Sequence, residues 1–294
     1  MISVFYRPEQ AVFNNASFSP SAGKPRQVVS DWQSKEDIAP YIQIEAFAPL
    51  NADDIKLAHC PSYVDGVLSS KLENGFGNRN PEVAKSLLYT TGSLYAAAKH
   101  AVQERTLTAS PTSGFHHANH AHGGGFCTFN GLVIAALKLK QEGLVRNVLI
   151  LDFDGHYGDG TDSCIAATGS GDWLKNITRT KHYDTPKECL ALTTLPRLYP
   201  WVVENMKSQP DLVIYQAGAD LWSGDPLQAG LLSKKKMAQR DANIFAAAHQ
   251  YNIPIVFNLA GGYAKDEAGT IEPVLDLHRQ TIREAIEVHR SDYV

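Results

Sequence analysis

The sequence predicts an α/β fold: a single domain with a mostly parallel β-sheet flanked by helices on both faces. Three observations predict it. Short apolar or β-branched runs recur along the chain, Gly, Pro or Asp bounds each run, and helix-length amphipathic stretches lie between them. The chain has 294 residues, of which 44% are hydrophobic and 20% charged, enough to bury a large core. No linker, repeat or low-complexity tract divides it, so residues 1–294 read as one domain.

The runs are Ile2 to Tyr6, Leu107 to Pro111, Asn147 to Asp152, Leu212 to Gln216 and Ile253 to Leu259. Near-continuous apolar character marks strands buried on both faces, the parallel case. Helices are expected over Pro81 to Glu104, Asn130 to Glu142, Lys234 to Tyr251 and Ile271 to Arg290. In the last, Val274, Leu275, Leu277, Ile282 and Ile286 recur near helical spacing. Such alternation collects ligands in the crevice at the carboxyl ends of the strands. Thr178 to Pro200 has mixed polarity without a period and predicts no element.

Charge and cysteine usage narrow the function classes. With 27 Lys+Arg against 31 Asp+Glu the net charge is −4, which excludes a polycationic nucleic-acid binder and mildly suits cationic substrates. Lys234-Lys-Lys236 lacks aromatic interleaving and reads as a solvated helix start. The four cysteines, Cys60, Cys127, Cys164 and Cys189, form no CxxC pair, so a reducing, cytoplasmic home is expected. Arg7 and Glu9 interrupt the N-terminus where a signal peptide needs an apolar core, and no run approaches the ~18 apolar residues of a membrane span. No nucleic-acid or membrane partner is expected, and a homo-oligomer is compatible with the sequence.

The chemistry concentrates after the strands. In Asp152-Phe-Asp-Gly-His156, Asp152, Asp154 and His156 lie two residues apart and share one side if the strand stays extended. A buried Asp is costly unless paired or liganded, and carboxylate with imidazole suits a divalent metal such as Zn²⁺. Asp154 and His156 are candidate ligands; a third could be Asp220 or Asp225, in the glycine-interrupted loop after Gln216. Ser113 to Cys127 packs four His and four Gly into fifteen positions. Glycines allow close backbone approach, and histidines move protons. The adjacent His116 and His117 make sense if each is polarised by its own carboxylate, for which Asp152 and Asp159 are available. Gly261-Gly-Tyr263 delivers a hydroxyl to the same sheet edge, where it could stabilise an oxyanion.

Each residue also has a plainer role. His116 could cap a helix, Asp220 could be an N-cap and Gly261-Gly262 a turn. His120 and His122 read as surface or supporting residues, and Cys127 as a small buried one.

Together these segments resemble the histone deacetylase and acetylpolyamine amidohydrolase superfamily of zinc-dependent deacetylases. His116-His117, Asp152-Phe-Asp-Gly-His156, Gly158-Asp-Gly-Thr161, Gly224-Asp-Pro226 and Gly261-Gly-Tyr263 stand in that family's order. The likeness covers roughly residues 50 to 265, beginning at Ala58-His-Cys-Pro-Ser-Tyr-Val-Asp-Gly-Val67. It implies an arginase/deacetylase-like sheet holding one Zn²⁺ per chain on Asp154, His156 and Asp225. It also implies a structural K⁺ beside Asp152, His116 and His117 paired with Asp152 and Asp159, and Tyr263 as the catalytic tyrosine. Phe126, with Gly125 beside it, matches an aromatic flanking the acyl channel. By this likeness His117 takes a proton from water and returns it to the leaving amine, His116 lends electrostatic support, and Tyr263 donates to the oxyanion. Substrates would be acetyl-lysine, acetylated polyamines or other small acylated amines.

Three positions depart from the family pattern. Tyr157 stands where the family has a second histidine. Arg79 or Asn80 falls where many relatives place an acidic rim residue. The usual Pro-Gly-Thr-Gly loop has no match between Lys181 and Pro200. Competing readings are weaker. A haloacid-dehalogenase-like phosphatase shares Asp152-Phe-Asp-Gly155, but His156 follows, and phosphoaspartate chemistry has no use for His116-His117. An arginase-like dimanganese centre needs more bridging carboxylates, and a non-catalytic acetyl-lysine or polyamine binding module would show a damaged zinc or tyrosine position.

Overall fold

A computed structural model describes residues 1–193, 209–227 and 229–291 of the chain. The strands are β1 (Ile2–Phe5), β2 (Ile42–Glu45), β3 (Leu107–Ser110), β4 (Val148–Asp152), β5 (Leu174–Thr178), β6 (Leu212–Gln216) and β7 (Ile255–Asn258). They form one sheet in the order β2-β1-β3-β7-β6-β4-β5, with every pairing parallel. The helices are α1 (Lys24–Gln33), α2 (Ala52–Ile55), α3 (Pro61–Leu68), α4 (Pro81–Glu104), α5 (Gly131–Gln141), α6 (Asp159–Thr168), α7 (Pro186–Thr193), α8 (Lys234–Gln250) and α9 (Glu272–Ser291).

Alternation along each strand divides the core in two. Leu149 and Leu151 of β4, Val213 and Tyr215 of β6, and Ile255 and Phe257 of β7 pack on one face with Trp32 of α1, Phe245 of α8 and Ile282 of α9. Val148, Ile150, Leu212, Ile214 and Val256 face the other way, against Val64 of α3, Leu94 and Ala98 of α4, and Leu132 and Ala136 of α5. Burial on both faces is why these strands read as unbroken apolar runs. Local signals set the helix limits. Pro81 opens α4 behind the Asn80 cap, whose side chain accepts from Glu82 N–H at 2.9 Å, and left-handed Arg105 ends it. The lysine run opens α8 behind the Ser233 cap, as a solvated helix start should.

All five strands and four helices read from the sequence are present, within a residue or two of their expected ends. The two outermost strands, β2 and β5, went unread because Gln43, Glu45, Lys175 and Asn176 break their apolar character. Of the unassigned stretch Thr178 to Pro200, residues 186–193 form α7, and 194–200 lie outside the described residues.

Candidate metal and catalytic site

Because β3, β7, β6 and β4 are neighbours, their carboxyl ends lie side by side. Ser110, Asn258, Gln216 and Asp152 stand level across the sheet. A polar row links three of them: Asn258 Nδ2 donates to Gln216 Oε1 (3.3 Å), and Gln216 Nε2 to Asp152 Oδ1 (2.8 Å). The loops leaving these ends carry the reactive side chains.

Asp154, His156 and Asp220 converge, with one potential ligand atom from each lying within 4.8 Å of the others. His156 Nδ1 is 3.1 Å from Asp154 Oδ1 and 3.0 Å from Asp220 Oδ2. Gly155 N–H donates to Asp220 Oδ1 (3.0 Å) and Gly261 N–H to Asp154 Oδ2 (2.8 Å). At Gly261 a Cβ would come within 2.3 Å of the Asp220 carboxylate, so the close approach demands glycine.

Asp225, which the family likeness gives as the third zinc ligand, lies on the same loop five residues beyond Asp220: its Oδ2 accepts Tyr263 N–H (2.8 Å) and its Oδ1 accepts Leu227 N–H (3.1 Å). Tyr263 follows Gly261, whose N–H meets Asp154, so Asp225 is held beside the group by the same backbone turn.

The electrostatics suit a divalent cation. Asp154 and Asp220 are both fully buried, and like charges this close cannot both ionise cheaply. Burial and the Asp154 charge push Asp220 up to about 7. Burial also opposes ionisation of Asp154, but His116 and His156 hold its carboxyl well below the usual range. His156 rises to about 10 through its hydrogen bonds to the two carboxylates. Two buried carboxylates and an imidazole, closed by backbone donors, form a donor set that fits Zn²⁺.

The adjacent histidines are differentiated. His116 Nδ1 is 2.9 Å from Asp152 Oδ2, and His117 Nδ1 is 2.6 Å from Asp159 Oδ1, the pairing expected from the sequence. Burial works against charging His116, yet Asp152 and Asp154 overcome it and raise the imidazole to about 9. Burial and the neighbouring His116 charge lower His117, with Asp159 opposing. The two rings, pushed in opposite directions by their surroundings, stand with centroids 4.1 Å apart.

Tyr263 is buried, and burial followed by the Asp220 and Asp154 charges holds its phenol well above the ordinary value, so it remains a donor. Phe126 lies 5.7 Å from it, centroid to centroid, at the tip of a tight turn closed by Gly124 N–H to Cys127 O (2.9 Å) and Cys127 N–H to Gly124 O (2.8 Å). Gly125 and Phe126 both take left-handed φ there, +53° and +64°, and a Cβ on Gly125 would strike the His117 ring at 2.6 Å.

Sequence reasoning missed several residues. Lys24 is fully buried beneath the site and donates to Ala260 O (2.7 Å); burial lowers it to about 8 against the pull of Asp220, Asp154 and Asp225. Phe18, half exposed, stacks over Tyr263 at 6.2 Å, and Phe76 lies 6.0 Å from Phe126. Neither Lys24 nor Phe18 lies in an element or motif read from the sequence. The residues read as plain are so: His120 Nδ1 meets Ala58 O (2.8 Å), His122 is exposed, and Cys127 is buried.

The sequence matches the family model of the histone deacetylase domain over residues 21–173 and 192–273. The chain belongs to the histone deacetylase family. Within it, the chain is 29% identical over 269 residues to histone deacetylase 2 of Arabidopsis thaliana, covering 79% of this chain and 67% of that protein. An uncharacterized protein of Picosynechococcus sp. is 30% identical over 228 residues (72% of this chain, 76% of its own length). A probable deacetylase of Methanothermobacter thermautotrophicus is 24% identical over 297 residues, with coverages of 90% and 87%. Among the described residues, no helix is long and apolar enough to cross a membrane.

Proposed function

We propose that the chain, acting as one domain, is a zinc-dependent amidohydrolase that removes an acetyl or similar acyl group from a cytoplasmic acylated amine. The observation that carries this reading is the convergence of Asp154, His156 and Asp220 beside two histidine–carboxylate pairs and a buried tyrosine. Asp154, His156 and Asp225 would hold the ion, with Asp220, which converges on Asp154 and His156, as the alternative third ligand. When bound, Zn²⁺ supplies Lewis-acid polarisation of an amide carbonyl and acidifies water.

The chain's own residues divide the remaining work. His117, kept neutral, accepts a proton from the attacking water at its free Nε2 and returns it to the leaving amine, while Asp159 holds Nδ1 and fixes the tautomer. His116, kept cationic, lends positive charge as the amide oxygen becomes negative. Tyr263 donates its hydroxyl to that oxygen, and Asp225 holds its backbone in place. Phe126 and Phe18 give the mouth flat apolar walls suited to an alkyl chain.

Acetate release from an acetyl-lysine peptide and from an N-acetylated polyamine by the zinc-loaded protein tests the reading. We expect release from at least one, falling by about 10²–10³-fold in Tyr263→Phe with folding and zinc content unchanged. Equal release by the variant would remove Tyr263 from the reaction, and no release from either substrate would overturn the proposal.

A further inference from the structure

The family likeness implies a potassium ion beside Asp152, and the structure can be asked whether its oxygens could hold one. A hard cation of this kind needs several oxygens converging on one point that no protein donor fills. Here protein donors fill it. The Tyr183 hydroxyl donates to the backbone carbonyls of Asp152 (3.1 Å) and Asp154 (3.3 Å). Asp152 Oδ1 accepts from Gln216 Nε2 (2.8 Å), and Oδ2 accepts from the Thr178 hydroxyl (3.4 Å) and faces His116 Nδ1 (2.9 Å). Thr178 Oγ1 itself accepts Gly158 N–H (2.8 Å). The next carbonyl, Gly155 O, accepts the Arg179 guanidinium. The residues present do not fit the ion.

The chain builds this arrangement locally. After β5 it reverses through Thr180, at left-handed φ +65°, and Thr180 N–H donates to Tyr183 O (2.8 Å). The reversal brings the buried Tyr183 ring onto Phe153, the residue between the two aspartates, at 5.1 Å and 19°. One face of the ring packs, and its hydroxyl reaches the carbonyls on either side of Phe153.

We propose that the Tyr183 hydroxyl takes the place of a structural monovalent cation in this chain and is the positioning residue that sets the Asp152–Asp154 backbone. A tethered donor needs no ion from solution, so the site's geometry is independent of the potassium concentration. Tyr183 touches neither substrate nor metal; it acts through the backbone that aims Asp154 and His116's partner Asp152. The inference concerns the scaffold and goes beyond the choice of substrate.

The test is a thermal melt and a zinc-affinity measurement by chelator competition on the full chain, in potassium, sodium and tetramethylammonium chloride at equal ionic strength. We expect the same midpoint and the same affinity in all three salts. Tyr183→Phe, which removes only the hydroxyl, should weaken zinc binding by about 10–100-fold, the usual effect of losing a group that orients a ligand. A purely structural tyrosine would move the melt and leave zinc affinity alone. Two results overturn the proposal: a wild-type midpoint or zinc affinity that rises in potassium over tetramethylammonium, or a Tyr183→Phe variant with wild-type zinc affinity. The wild-type salt series decides the matter even if the variant fails to fold.

Discussion

Two buried charged clusters meet where Arg240 bonds to the loops after β4 and β6, and they are built on opposite terms. Around Arg240 the charges close on themselves. Its Nε donates to Asp241 Oδ1 (2.8 Å), and Asp241 also accepts the hydroxyls of Tyr215 and, at 2.6 Å, of Thr281. Its Nη1 donates to Phe153 O (3.1 Å) and Gly218 O (2.8 Å), fastening the loops that carry Asp154 and Asp220. Around Asp154, Asp220 and His156 the closure is incomplete: His116 and His156 hold Asp154 ionised, while burial and the Asp154 charge push Asp220 up to about 7. A self-neutral network rigidifies a fold, whereas a buried surplus of acceptors makes sense when a cation completes it.

Changing each group should separate their roles. Asp154→Asn removes a proposed ligand carboxylate while keeping an oxygen for Gly261 N–H; we expect turnover to fall by about 10³-fold or more, since on the proposed function a bound metal supplies several kcal/mol of transition-state stabilisation. Its denaturation midpoint without metal should move far less than that of Arg240→Ala. The latter leaves Asp241 buried and unpaired and should cost about 3–5 kcal/mol by urea unfolding. A reversal of that ranking would erase the distinction between the two groups. A smaller effect sharpens it further. On the proposed function His117 works neutral, and burial with the His116 charge lowers it from the ordinary histidine value, so kcat/KM should be flat at neutral pH and fall only toward acid. Asp159→Asn removes the hydrogen bond and charge that, with Asp154, raise His117, so the acid limb should shift to lower pH while the maximal rate drops. A limb that stays in place would separate His117 from the titration.

The legible part of this molecule was the part whose physics is local. Strands buried on both faces announce themselves as apolar runs, and aspartates on such a run, as at Asp152 and Asp154, are too costly to be incidental. The histidine pairs were legible because each imidazole needs a carboxylate and few were at hand. Asp220 and Asp225 share one loop, and five residues of spacing do not reveal the turn at Trp222 that sets how each meets Asp154 and Tyr263. Lys24 reaches Ala260 across 236 residues, and Tyr183 reaches Asp152 across 31, so their roles exist only once the sheet has assembled. Phe18 stacks on Tyr263 from a loop that carries no periodic signal.

The most direct test of the central claim is zinc stoichiometry by calorimetry on the wild-type chain, Asp220→Asn and Asp225→Asn. The account predicts one zinc per chain for the wild type and for Asp220→Asn, and a loss of binding in Asp225→Asn. Retained zinc in Asp225→Asn with loss in Asp220→Asn would contradict it and make Asp220 the third ligand.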